Sequence, residues 1–228
     1  MKRISQKPVA VAIKQRREAR AVFLTAAFVT AGLMLSAGQA RAESNFLTAA
    51  GTATAHLDFQ IVIPKILFLQ VGTGTLLANN TNVDRIVFDM SATPGLIGNA
   101  AQQTATSGGD VSPGVVTAKV IGNNFTGGAV NLVASTGGAL ADPAGDTISW
   151  SEIAITTAGG ATLAHPGTPN LSDSGTTTVS LTPVNKVINQ TGQWTFKYKN
   201  TNVPAAGTYG ATGVSPTNGR VTYTIAMP

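Results

Sequence analysis

Apolar residues recur at every second position through much of the chain. In "TATAHLDFQIVIP", Leu57, Phe59, Ile61 and Ile63 fall on one face, and His56, Asp58 and Gln60 on the other. "VDRIVFDMS" sets Val83, Arg85, Val87 and Asp89 against Asp84, Ile86, Phe88 and Met90. "DTISWSEIAIT" sets Ile148, Trp150, Glu152 and Ala154 against Ser149, Ser151, Ile153 and Ile155. In "GRVTYTIAMP", Val221, Tyr223, Ile225 and Met227 face one way, and Arg220, Thr222, Thr224 and Ala226 the other. A period of two marks a strand whose faces meet different surroundings.

Other runs complete the set. "GVVTAKVIGNN" and "GGAVNLVAST" read as strands, and the "NNFTGG" that links them as a hairpin loop. "TTTVSLTPV" and "QWTFKYKN" follow. "KILFLQVG", behind Pro64, is apolar almost throughout, which suits a strand buried on both faces or one that turns a corner between sheets. No segment of helical length combines an apolar period of 3.6 with helix-forming residues. Long Gly/Thr/Pro-rich loops separate the runs, among them "GGALADPAGD" and "AGGATLAHPGTPNLSDSG". About nine short strands at this spacing predict an all-β fold, a single immunoglobulin-like β-sandwich over residues 57–228.

The first 42 residues are set apart by composition. Seven basic side chains from Lys2 to Arg20 precede the apolar stretch Ala21–Gly38, and "GQARA" closes with Ala40 and Ala42 at small-residue positions. This is the pattern of a signal peptide cut before Glu43, and it predicts export. Residues 43–56, small and nearly uncharged, then form an N-terminal extension. Removing the leader reverses the charge. The whole chain carries +5, but residues 43–228 hold seven basic and nine acidic side chains, a net −2. The basic character belongs to the leader, so a nucleic-acid partner loses its support. The membrane is met only through the export signal. Cysteine is absent, which excludes disulfides, thiolate chemistry and lipidation at a cysteine.

Candidate chemistry is sparse. His56 falls opposite the Leu57–Ile63 stripe, at an exposed strand position. His165, ahead of Pro166 in a Gly/Pro loop, reads as a solvated residue. Two such histidines, without HExxH or cysteine partners, predict no zinc site. No G-x-S-x-G elbow or S-x-x-K supports a serine nucleophile. "GTGT" (Gly72–Thr75) lacks the remainder of a phosphate-binding glycine motif and reads as a turn. Asp142 and Asp146 in "DPAGD", with Asp173 in another loop, fit no calcium-loop spacing, and "DPAG" fits a type I turn. Trp194, Phe196 and Tyr198 alternate on one face. They suit either a sugar-stacking platform or aromatics packed between sheets, and the packed arrangement is the expectation, with Thr195, Lys197 and Lys199 pointing outward. No catalytic group, cofactor or metal is expected, and the protein reads as a non-enzyme.

The two ends carry the most information. An alternating strand at the C-terminus leaves one row of backbone N–H and C=O groups open to strand addition. An exported, Thr/Gly-rich, all-β chain that closes this way resembles a chaperone–usher-type fimbrial (pilin-like) subunit. It differs from the usual pattern in having no cysteine pair and in placing Met227 next to last. The resemblance implies an incomplete sandwich, completed first by a periplasmic chaperone delivering to an usher and then by the N-terminal segment of the next subunit. It makes Val221, Tyr223, Ile225 and Met227 the partner-strand contacts, and Ser44–Ala55 or the Leu57, Phe59, Ile61, Ile63 stripe the donor. It also implies passage through the periplasm to a fimbrium or the cell surface. The alternative is a self-contained secreted β-sandwich module that binds a glycan or host-surface ligand through its loops.

Overall fold

The structure is a computed structural model, described for residues 44–158, 162–211 and 218–227. The expected leader, residues 1–42, and its cleavage point before Glu43 lie outside the described residues. The chain divides into two compact units, Met1–Val62 and Ile63–Pro228.

The described residues are mostly strands and loops, with helical geometry confined to two 3-10 turns, Pro94–Leu96 and Trp150–Glu152. In chain order the strands are β1 Leu67–Val71, β2 Gln103–Thr104, β3 Val115–Gly122, β4 Val130–Thr136 and β5 Leu140–Ala141. They continue with β6 Thr147–Ile148, β7 Ile153–Thr157, β8 Gly175–Leu181, β9 Ile188–Tyr198 and β10 Val221–Ile225. Every pairing is antiparallel. One sheet runs β1-β3-β9-β2, with β7 also on β9; a second runs β10-β4-β8; β5 and β6 form a separate ribbon. The protein is all-β.

The eleven-residue β9 organises the first sheet. Residues 188–195 pair with β3, and Trp194–Tyr198 pair with β7. Its alternation places Trp194, Phe196 and Tyr198 inside, where they join Val116, Ala118 and Val120 of β3. From the second sheet, Val130, Leu132 and Ala134 of β4 and Leu181 of β8 enter the same cluster. The Val, Leu and Phe side chains among them each contribute about 1.5–3 kcal/mol when fully buried. The packed arrangement expected for the β9 aromatics is therefore present. Thr195, Lys197 and Lys199 alternate with them and are only half-buried.

Several elements differ from the sequence reading. The alternating run 52–63 forms no strand, and Leu57, Phe59, Ile61 and Ile63 are exposed. Alternation specifies two faces, but a strand also needs a backbone partner. Residues 83–91 make a single bridge, Val87 with Ser107, because Asp89 accepts from Ser91 N and turns the backbone away. The run 147–157 is broken in two. Ser149 Oγ accepts from Ser151 N at 3.1 Å and Asp173 Oδ1 from Trp150 N at 2.6 Å. These side chains take amide protons that a continuous ladder would need. "NNFTGG" is not a hairpin: β3 and β4 belong to different sheets, and Phe125 of the linker is buried in the core. "KILFLQVG" yields β1, which is half-buried and lies at the edge of its sheet.

The turn expectations hold. Gly145 N donates to Asp142 O at 3.2 Å, closing "DPAG", and Asp142 Oδ1 accepts from Asp146 N. After β1, Gly72 adopts φ +78, and a Cβ there would collide with the Asp84 carboxylate. That carboxylate accepts from Thr73 N at 2.6 Å.

Candidate functional site: a cleft between two strand edges

Among the described residues, β1 pairs only with β3 and β10 only with β4. Each is therefore an edge strand of its sheet, and a strand edge without a neighbour leaves its N–H and C=O groups available. A cleft of about 250 Å³ brings the two together. Phe68, Leu69, Gln70 and Val71 of β1, Thr73, Ala78 and Asn80 of the following loop, and Tyr223 of β10 line it. Leu69, Val71, Val221, Tyr223, Ile225 and Met227 pack against the core yet remain only half-buried. Apolar side chains at a core margin that are half-covered are a surface another apolar stripe can complete.

Tyr223 ties the β10 edge to the interior. Its hydroxyl lies 2.7 Å from His165 Nε2. His165 Nδ1 accepts from Gly167 N at 2.8 Å, which places the ring proton on Nε2 and makes the histidine the donor to Tyr223. The imidazole meets Trp194, Phe196 and Tyr223 edge-to-face, at centroid distances of 4.6, 5.6 and 5.5 Å. Burial lowers the His165 pKa to about 4 and raises that of the Tyr223 phenol. Tyr223 is half-buried as a residue, but its hydroxyl reaches the enclosed side of β10.

His165 is thus not the solvated loop residue the sequence suggested; only 2% of it is exposed. Its loop folds inward, with Leu163 and Leu171 fully buried beside it. Leu163 O accepts from Trp194 Nε1 at 3.0 Å, and a Cβ on Gly192 would collide with the same carbonyl. Gly167 has no room for a side chain either, since a Cβ would stand 2.5 Å from Leu171. The sequence signals were the two-residue spacing of Leu163 and His165 and the glycine opposite them; the Pro/Gly content masked both. Phe68, Leu69 and Val71 were also missed as cleft-lining residues, because a continuously apolar run looks buried.

The other candidate residues are placed as follows. Of the predicted contacts, Val221, Tyr223 and Ile225 lie along β10 with Met227 just beyond its end, while Leu57, Phe59, Ile61 and Ile63 lie outside any strand. His56 is exposed. Asp142 and Asp146 close the β5–β6 turn, and Asp173 caps the turn at Trp150. Among the described residues, no group of three or more His, Cys, Asp or Glu side chains could hold a metal ion. Comparison with protein-family models, curated proteins and solved structures finds no match.

Proposed function

We propose that this chain is an exported structural subunit of a surface fimbria or related assembly, whose copies join by strand complementation. Its single domain would be an immunoglobulin-like sandwich that lacks one edge-to-edge strand. The observation that carries this reading is the cleft between the open edges of β1 and β10, walled by half-buried Leu69, Val71 and Tyr223. The occupant is the stripe Leu57, Phe59, Ile61 and Ile63 of another copy. These side chains are 73–86% exposed, and their alternation is what an added strand uses to fill pockets on one side. Before assembly, a periplasmic chaperone would cover the same edge. The mechanism needs backbone hydrogen bonds and apolar burial and no catalytic group.

The test is assembly of the mature chain, residues 43–228. Multimers or rods are expected from the wild type, and a Leu57→Asp/Phe59→Asp/Ile61→Asp chain should stay monomeric with its core intact. A wild-type chain that stays monomeric at high concentration and melts cooperatively would overturn this reading and favour the self-contained binding module.

A further inference from the structure

Where the N-terminal segment leaves the second unit, the chain is held. Asn123 Nδ2 donates to Pro64 O at 2.8 Å, and Asn123 Oδ1 accepts from Ile66 N at 2.8 Å. Asn123 N also donates to Ile66 O at 3.2 Å. Two residues later, Phe125 N donates to Lys186 O at 3.1 Å, joining this exit to the turn between β8 and β9. That turn is stiff. Val184 and Val187 exchange both backbone hydrogen bonds, and Asn185 and Lys186 between them hold φ values of 51 and 65. Two central residues in the left-handed region make the tight turn that suits antiparallel strands. On it, Val184 is 70% and Val187 44% exposed, beside a cleft of about 240 Å³. Gln190 lines that cleft, and its buried Oε1 has no hydrogen-bond partner among the described residues.

A second exposed apolar pair stands at the other end of β1. The loop after Val71 turns at Thr75–Ala78, where Ala78 N donates to Thr75 O at 3.1 Å. Leu76 and Leu77, at its tip, are 52% and 56% exposed. Leu77 holds φ 57, a value that a turn normally assigns to glycine or asparagine at this position. A leucine there costs conformational energy and gains nothing from solvent.

We propose that Val184 and Val187 of one copy pack against Leu76 and Leu77 of the next, in a head-to-tail contact between copies of this chain. This rests on the strand-complementation reading and adds the surface around it. Only Pro64–Ile66 separate Ile63 from β1, and three extended residues reach at most about 10 Å. Any copy that takes up the 57–63 stripe must therefore stand against the end of the unit that carries Asn123, Val184 and Val187. It meets that end with its cleft, whose margin is the 72–82 loop. Two different patches at opposite ends of β1 make a heterologous contact, the kind that propagates as a filament.

The chain has no cysteine, so paired cysteines report the contact directly. Val184→Cys chains mixed with Leu77→Cys chains and oxidised should give a cross-linked heterodimer in preference to either homodimer. In parallel, Val184→Asp/Val187→Asp should lose assembly yet still bind a synthetic peptide of residues 55–65 as the wild type does. A predominant 184–184 product, no cross-link, or undiminished assembly of the aspartate variant would each overturn the contact. Loss of peptide binding by the wild type would instead remove the strand-complementation reading, which the cross-link pattern does not measure.

Discussion

His165 Nε2 and the Tyr223 hydroxyl lie 2.7 Å apart, 58 residues distant in sequence. The bond joins a loop that plugs the core to the open edge strand β10, and through Trp194 and Phe196 it reaches the centre of β9. The edge is thereby held on its inner side while its outer backbone groups stay available.

Acid should loosen this arrangement. The folded chain keeps His165 neutral down to about pH 4, whereas an unfolded histidine takes its proton near 6.5. The unfolded state then binds more protons between these values, so stability falls as pH drops from 6.5 to 4 and this group's effect levels off below. The shift from 6.5 to about 4 amounts to roughly 3 kcal/mol at 1.36 kcal/mol per unit. Urea melts at pH 7 and 4.5 should show the loss in the wild type and a smaller one in His165→Gln. Equal pH slopes would remove His165 from this role.

Tyr223→Phe keeps the ring and leaves the His165 N–H without its acceptor. An orphaned buried donor costs about 1–3 kcal/mol, and thermal unfolding should show it. Because the ring still lines the cleft, uptake of the 55–65 peptide should survive, while Tyr223→Asp should abolish it.

Phe125 lies in a linker, yet it is 2% exposed and packs against Gly122. Phe125→Ala should cost about 3–5 kcal/mol, the range for emptying an aromatic core site. The nearby Thr126→Ala, at an exposed position, should cost less than about 0.5 kcal/mol. Paired denaturant melts compare them, and a similar effect from both would contradict a core role for Phe125.

Asn123→Ala removes the side-chain bonds to Pro64 and Ile66. Each is worth about 1 kcal/mol net, and limited proteolysis at residues 63–66 should quicken before global stability changes much. Cleavage at the wild-type rate would show that the segment is held by other contacts.

Much of the fold was legible in the alternating pattern. The β9 aromatics, the inner face of β10 and the all-β class follow from which side chains avoid water at a period of two. The two sheets were less legible. β3 and β4 are adjacent strands with a glycine-rich linker, which locally looks like a hairpin; Phe125 in that linker enters the core and carries the chain across to the other sheet. Trp150 looked like one position of a long strand until the Ser149 hydroxyl and Asp173 carboxylate claimed the neighbouring amide protons. The candidate site was half legible, because β10 announces its apolar face but not which edge stays open.

By itself the sequence determined the inventory: strand-forming segments, a cysteine-free chain of low charge, and an alternating stripe at 57–63. Those properties are local, set by side-chain chemistry at neighbouring positions. Tertiary structure decided what no local pattern encodes. Among the described residues it left the edges of β1 and β10 open around a cleft, and it buried His165 against Tyr223. Both outcomes depend on backbone partners dozens of residues away, whose hydrogen bonds are set by how the two sheets meet over one core.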